Sequence, residues 1–191
     1  MKMLRFAVHF GAFCPFLWLI YEIRINNGAY FGADPVKEMI HFLGWLSLSF
    51  FLVLFIFRLI TQWTNANSLR WLHQPLGLWA ITWAFLHILA YLYLELGFDV
   101  GLFFNELATR PYLLFGASAF FLFCLAAGVM IPAIRQQLRK KNLLIHQVSY
   151  FALVLAAIHY YWSIKSYDLN AVVYLLFSIL IFGYWKYQKH H

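Results

Sequence analysis

The chain has 191 residues, of which 64% are hydrophobic and 11% charged, with 14 Lys and Arg against 7 Asp and Glu. A typical soluble domain is about 45–50% apolar and about 25% charged. The composition therefore excludes a soluble globular domain and predicts an integral membrane protein. The formal charge of +7 is spread over short loops and termini, which indicates membrane topology and not a nucleic-acid-binding face. The length permits one helix bundle, so residues 1–191 are predicted to form a single domain.

Six apolar segments follow one another along the chain. They are residues 6–23, 38–60, 75–95, 112–132, 147–164 and 171–185. The first five have the length of about 17–25 residues that a helix needs to span a bilayer, and the sixth is shorter but ends in interfacial aromatic and basic residues. The first segment is longer than a signal-peptide core and lacks a following A-x-A site, so a retained helix is expected. The predicted fold is all-α, an integral membrane bundle of six transmembrane helices.

The charged residues predict the orientation of this bundle. Ten cations lie at one set of segment ends: Lys2, Arg5, Arg58, Arg70, Arg135, Arg139, Lys140, Lys141, Lys186 and Lys189. The opposite ends carry four cations and all seven acids. Because cytoplasmic loops are enriched in Lys and Arg, both termini are predicted to be cytoplasmic.

The third and fifth segments each carry two histidines. His73 and His87 are 14 positions apart, and His146 and His159 are 13 apart. These spacings correspond to about 20 Å along a helix, so each segment can present histidines at two levels of a hydrocarbon core about 30 Å thick. Neutral imidazole binds iron, and a haem can take one axial ligand from each of two facing helices. The pattern predicts two stacked b-type haems that carry electrons across the membrane, with His73 and His146 inside and His87 and His159 in the outer half.

Other interpretations of the histidines stay open. A single intramembrane histidine can simply bond a backbone carbonyl, and His73 beside Pro75 could be a solvated imidazole at a helix mouth. Thirteen steps of about 100° leave the side chains of His146 and His159 about 140° apart. Either the fifth segment is distorted, or the two haems lie on different sides of it, or one ligand is wrongly assigned. His41 could contact a haem propionate, bind a quinone or act as an alternative ligand, and an interfacial histidine is the simpler interpretation.

Two further features carry alternatives of their own. Gly44 and Gly77 could let a macrocycle approach closely, or could serve ordinary helix packing. A basic cluster before His146 could pair with propionates or a flavin phosphate, or could anchor the chain to anionic lipid. It comprises Arg135, Arg139, Lys140 and Lys141. No dinucleotide-binding motif is present, so electrons are expected to come from a separate protein or from the quinone pool.

Several short motifs are spread along the chain. They are Gly32-Ala33-Asp34-Pro35 before Ile40-His41-Phe42-Leu43-Gly44, Leu76-Gly77-Leu78-Trp79 ahead of His87, Leu144-Ile145-His146-Gln147, and Ile158-His159-Tyr160-Tyr161-Trp162. Together they resemble the MsrQ (YedZ) family within the ferric reductase-like transmembrane superfamily. Each motif is weak alone, but the set spans nearly the whole chain. By position, the family's haem histidines fall on His87, His146 and His159. His73 is a departure, since basic residues are expected there, so the haem count of one or two stays open.

The resemblance implies a function as well as a fold. Such a protein is a multi-pass subunit of the bacterial inner membrane that binds haem b, with FMN suspected from the resemblance alone. It passes electrons from the quinone pool or a cytoplasmic flavin reductase to a periplasmic molybdopterin-containing protein-methionine-sulfoxide reductase, which repairs oxidised periplasmic proteins. The chain would then be an electron-transfer subunit and not the catalytic one.

Two other functions compete with this one. The first is a stand-alone transmembrane reductase of ferric ion or oxygen that uses the same haems. The second is a haem-free transporter or assembly factor, for which acids deep inside the membrane segments would be typical. All seven acids lie at segment ends or in loops, which disfavours the second alternative.

Overall fold

The computed structural model describes residues 2–129, 131–137, 142–164 and 168–190, and within these ranges the side chains of residues 2, 132, 135, 142–146, 189 and 190 are not described. Throughout the described ranges the ordered elements are helical and none is a strand, which confirms the all-α prediction. The helices are α1 Lys2–Arg24, α2 Pro35–Trp63, α3 His73–Ala90, α4 Val100–Thr109, α5 Pro111–Gly128, α6 Pro132–Gln137, α7 Asn142–Ser163 and α8 Leu169–His190. A 3₁₀ turn, Asn67–Leu72, leads into α3, and a π-helical turn, Tyr91–Glu95, extends it.

Five described helical stretches are long and apolar enough to cross a membrane. They are Met3–Arg24, Pro35–Trp63, Asn67–Glu95, Pro111–Gly128 and Leu169–Gln188. Five of the six predicted spans are therefore found, and each begins one to eight residues before its predicted start. The remaining predicted span, residues 147–164, corresponds to α7, and its crossing of the membrane stays a prediction.

Local chemistry explains where α2 and α4 begin. Oδ1 of Asp34 accepts a hydrogen bond from the amide of Lys37 at 3.2 Å, and Pro35 occupies the first helical position. Asp99 caps α4 in the same way, with its Oδ1 at 2.8 Å from the amide of Leu102. This ten-residue amphipathic helix was not among the predicted segments because it is too short to span a bilayer.

The bundle is organised around two antiparallel helix pairs, α2 with α3 and α5 with α7. The two pairs meet in a core where the rings of Phe51 and Phe123 stack with centroids 3.6 Å apart. α8 is tied to α2 by a 2.6 Å hydrogen bond between the hydroxyls of Ser49 and Tyr174. On the other flank, Trp83 of α3 is buried and donates from Nε1 to the carbonyl of Ala12 in α1 at 3.3 Å. The four core helices thereby hold their inward-facing side chains at fixed depths.

Candidate functional site

The structure brings the imidazole rings of His87 and His159 together between the two helix pairs. Their centroids are 6.1 Å apart and their planes are inclined at 67°. His87 lies in the last turn of α3, and His159 lies four residues before the end of α7. These two positions come from helices far apart in sequence, so only the packing of α3 against the α5–α7 pair makes them neighbours.

A main-chain carbonyl at the start of α2 fixes the ring of His87. Nδ1 of His87 lies 2.8 Å from the carbonyl oxygen of Ile40. A carbonyl can only accept, so Nδ1 is the donor, and in the neutral ring Nε2 keeps its lone pair. Histidines that bind metals almost always donate their other ring nitrogen in this manner.

His159 is held by the same arrangement on the opposite helix pair. Its Nδ1 donates to the carbonyl of Tyr112 at 2.7 Å, and the aromatic ring of Tyr112 stacks on the imidazole with centroids 5.9 Å apart. In both hydrogen bonds the histidine follows its acceptor by 47 residues. Each ring therefore presents Nε2 as the nitrogen available for a ligand bond.

The separation of the two rings fits a metal ion bound between them. A metal ion bound about 2.0 Å from one nitrogen of each imidazole would separate the two ring centroids by about 6 Å, once the distance from each nitrogen to its ring centroid is added. The observed value is 6.1 Å. The described part of the chain shows no cluster of three or more His, Cys, Asp or Glu side chains that could hold a metal ion alone. A two-histidine site instead suits a metal whose remaining ligands belong to a planar cofactor.

A regular sequence offset underlies this geometry and was missed in the sequence analysis. Equivalent residues of the two helix pairs differ by 72 positions in every case: Ile40 and Tyr112, Gly44 and Gly116, Phe51 and Phe123, Ala80 and Ala152, His87 and His159. Comparing the sequence with itself at this offset would have revealed the Gly, Phe, Ala and His matches. The backbone acceptors Ile40 and Tyr112 carry no such signal, because any residue supplies a carbonyl.

A cavity of about 330 Å³ lies at the other end of α2 and α3 from the facing rings, at the level predicted to be the inner one. Its apolar wall includes Phe51 and Phe123, and its polar end includes Arg58, Arg70 and His73. Nε2 of His73 lies 3.3 Å from the hydroxyl of Thr61. The inner pair is not related by the 72-residue offset, since His73 and His146 differ by 73 positions. The cavity combines an imidazole with two guanidinium groups, a set that suits an anionic aromatic ligand.

The remaining predicted residues are placed as follows. His146 belongs to α7, but its side chain lies outside the described part of the structure, as does that of Arg135, and residues 139–141 are not described. His41 is half-buried directly after Ile40, close to the outer site. His9 accepts a hydrogen bond at Nδ1 from Nε1 of Trp79, which gives it a packing contact between α1 and α3. Gly77 lines the inner cavity.

Polar side chains join α4 to the outer site. The hydroxyl of Tyr91 donates to Glu106 at 3.0 Å, and Glu106 forms a 2.7 Å ion pair with Arg110. Arg110 directly precedes α5, whose second residue, Tyr112, supplies the acceptor for His159. The π-helical turn that contains Tyr91 thus connects the end of α3 to α4.

The comparison with known families agrees with this class of membrane fold. Residues 43–157 match the family described as the ferric reductase like transmembrane component. The matched range begins one residue before Gly44 and ends two residues before His159, so it contains both helix pairs almost completely.

Relatives from three bacteria match nearly the whole chain. The protein-methionine-sulfoxide reductase haem-binding subunit MsrQ of Pasteurella multocida is 38% identical over 95% of this chain and 88% of its own length. The subunits of the same name from Klebsiella pneumoniae and Cronobacter sakazakii are each 33% identical over 97% of this chain, and over 91% and 92% of their own lengths. The chain belongs to the MsrQ family of the ferric reductase-like transmembrane proteins. No solved structure matches it.

Proposed function

We propose that this chain is the membrane haem subunit of a methionine sulfoxide reductase system and that His87 and His159 would hold the iron of an outer haem b. The observation that carries the proposal is the facing pair of rings, each bonded through Nδ1 to a main-chain carbonyl and separated by 6.1 Å. The haem-binding names of the relatives support the same cofactor.

The residues around the outer site suit electron transfer. A haem supplies a one-electron carrier when it is bound at this level. With both His87 and His159 bound to it, the iron would favour electron transfer over oxygen binding. The carbonyls of Ile40 and Tyr112 fix the tautomer and raise the basicity of the two imidazoles, and this favours the oxidised iron. The apolar bundle around the rings keeps water out.

The inner cavity is the proposed place of the second cofactor. His73 and His146 would hold a second haem b, with its propionates paired to Arg58 and Arg70 at the polar end of the cavity. FMN, suspected from the family resemblance, is the alternative occupant, with its phosphate on the same two arginines. The basic residues at this end of the bundle support either anionic group.

The proposed electron path runs from the cytoplasmic side to the periplasm of a bacterial inner membrane. The chain crosses that membrane six times, α7 included, with both termini in the cytoplasm. An electron from the quinone pool or a cytoplasmic flavin reductase enters at the inner level, reaches the outer level and leaves to a periplasmic molybdopterin-containing reductase. The acidic loops at the predicted outer side would steer a basic face of that partner, and they carry Glu95, Asp99, Glu106 and Asp168.

The first test of this function is the dithionite-reduced minus oxidised visible spectrum of the purified protein, with haem and acid-released flavin measured per chain. We expect b-type bands, two haems in the wild type and one in His73→Ala. One haem with one flavin in the wild type would assign the inner cavity to FMN and leave the outer site intact. No haem after expression with ample haem supply would refute the proposed function.

A second test separates the subunit from a stand-alone reductase. The chemically reduced protein is mixed with ferric chelate or with oxygen and no partner protein. Since two histidines would hold the outer iron and disfavour oxygen binding, reoxidation by oxygen is expected to be slow. Rapid, repeated turnover without a partner would instead establish the stand-alone reductase.

A further inference from the structure

A glycine lies against each of the two outer imidazole rings. A Cβ on Gly44 of α2 would stand 3.0 Å from Cε1 and 3.1 Å from Nδ1 of His87. A Cβ on Gly116 of α5 would stand 2.8 Å from Nδ1 and 2.9 Å from both Cε1 and Cγ of His159. At both positions the three nearest atoms all belong to the imidazole, so the ring itself occupies the space that a side chain would take.

The glycine and the carbonyl acceptor form one unit on each side of the site. Gly44 follows Ile40 by four residues, and Gly116 follows Tyr112 by four, so each glycine lies one helical turn beyond the carbonyl that accepts from Nδ1. The hydrogen bond fixes one edge of the ring, and the contact with the glycine limits rotation of the ring about that edge. Both restraints come from the backbone of the neighbouring helix.

We propose that Gly44 and Gly116 are positioning residues that set the angle between the two ligand planes of the outer haem. The inference rests on the proposed function, because it needs an iron between His87 and His159. The rings are inclined at 67°, closer to perpendicular than to parallel. The angle between two axial imidazoles determines the splitting of the iron d orbitals, so it appears directly in the electron paramagnetic resonance spectrum and contributes to the midpoint potential. A methyl group on either glycine would turn one ring away from its present plane.

The chain offers matched controls for these substitutions. Gly11 in α1 and Gly183 in α8 are also helical, and a Cβ on either would meet nothing within 4 Å. Alanine has a higher helix propensity than glycine, so an alanine that meets open space should be tolerated or slightly stabilising. Any effect confined to Gly44 and Gly116 therefore reports the ring contact.

The experiment compares the ferric holoprotein of the wild type with Gly44→Ala, Gly116→Ala, Gly11→Ala and Gly183→Ala. We expect the wild type to show the strongly anisotropic low-spin signal of inclined ligand planes. The g values and the outer midpoint potential should shift in Gly44→Ala and shift further in Gly116→Ala, where the contacts are shorter. Both controls should keep the wild-type values. Unchanged g values in Gly44→Ala and Gly116→Ala at full haem content would overturn the proposal, whereas a wild type without haem would refute the proposed function instead.

A double-mutant cycle covers the case in which Gly116→Ala purifies without haem. The stability of the full chain is measured for Gly116→Ala in the wild-type background and in His159→Ala. If the new methyl group contacts the imidazole of His159, Gly116→Ala should lower the stability of the wild type. The same substitution should have little effect in His159→Ala, where the ring is absent. An equal loss of stability in both backgrounds would show that Gly116 serves helix packing alone and would overturn the proposal.

Discussion

Replacing His159 by alanine is expected to remove the outer haem and to lower its content in the purified protein by more than about tenfold, since losing even a partner of a metal-bound histidine costs about 10–100-fold in metal affinity. His87→Ala should do the same, because the two rings face each other across the proposed iron position. The measurement is haem per folded chain, together with the reduced-minus-oxidised spectrum.

The control for this prediction is His9→Ala. His9 is exposed and accepts a hydrogen bond from Trp79, away from the facing rings. Its removal should leave the haem content at the wild-type level. A His87→Ala or His159→Ala protein that kept full haem content and an unchanged spectrum would contradict the assignment of the outer ligands.

Glu22→Ala is expected to destabilise the folded protein by about 3 kcal/mol, because hydrogen bonds to charged groups contribute about 1.5–3 kcal/mol each. Glu22 is only 3% exposed and lies near the C-terminal end of α1. Its carboxylate accepts from the side-chain amide of Asn26 at 2.9 and 3.0 Å and from the amide of Tyr30 at 2.6 Å. These bonds fold the loop between α1 and α2 back onto the bundle, so their loss should also expose that loop to protease.

The unfolding transition in detergent measures the first effect, and limited proteolysis measures the second. Glu22→Gln keeps one acceptor oxygen and should recover part of the stability. Glu95→Ala, which removes an exposed acid at the same side of the bundle, should change the stability little. If the unfolding midpoint of Glu22→Ala equalled those of Glu95→Ala and the wild type, the carboxylate of Glu22 would have no role in holding the loop.

Local chemistry explains why the helix positions were predictable. A segment that crosses a bilayer must be apolar over most of its length and must satisfy its backbone hydrogen bonds internally. The composition of a segment therefore indicates both that it crosses the membrane and that it is a helix. The start of α2 lies only three residues before the predicted segment 38–60, because Asp34 and Pro35 start the helix by contacts within one turn of the chain. The helix α4 was missed because a short interfacial helix has no such length requirement.

The sequence by itself determined an all-α membrane protein, its apolar segments and the histidines from which a cofactor site could be built. Each of these depends on the chemistry of residues within one segment. Only the tertiary structure decided that His87 and His159 face each other, that Nδ1 of each is bonded to a carbonyl, and that a glycine lies against each ring. These features join residues more than 40 positions apart, and the rotation of one helix against another is set by the packing of the whole bundle. For the same reason the sequence did not predict the role of Glu22, because its burial depends on how the loop between α1 and α2 folds over α1.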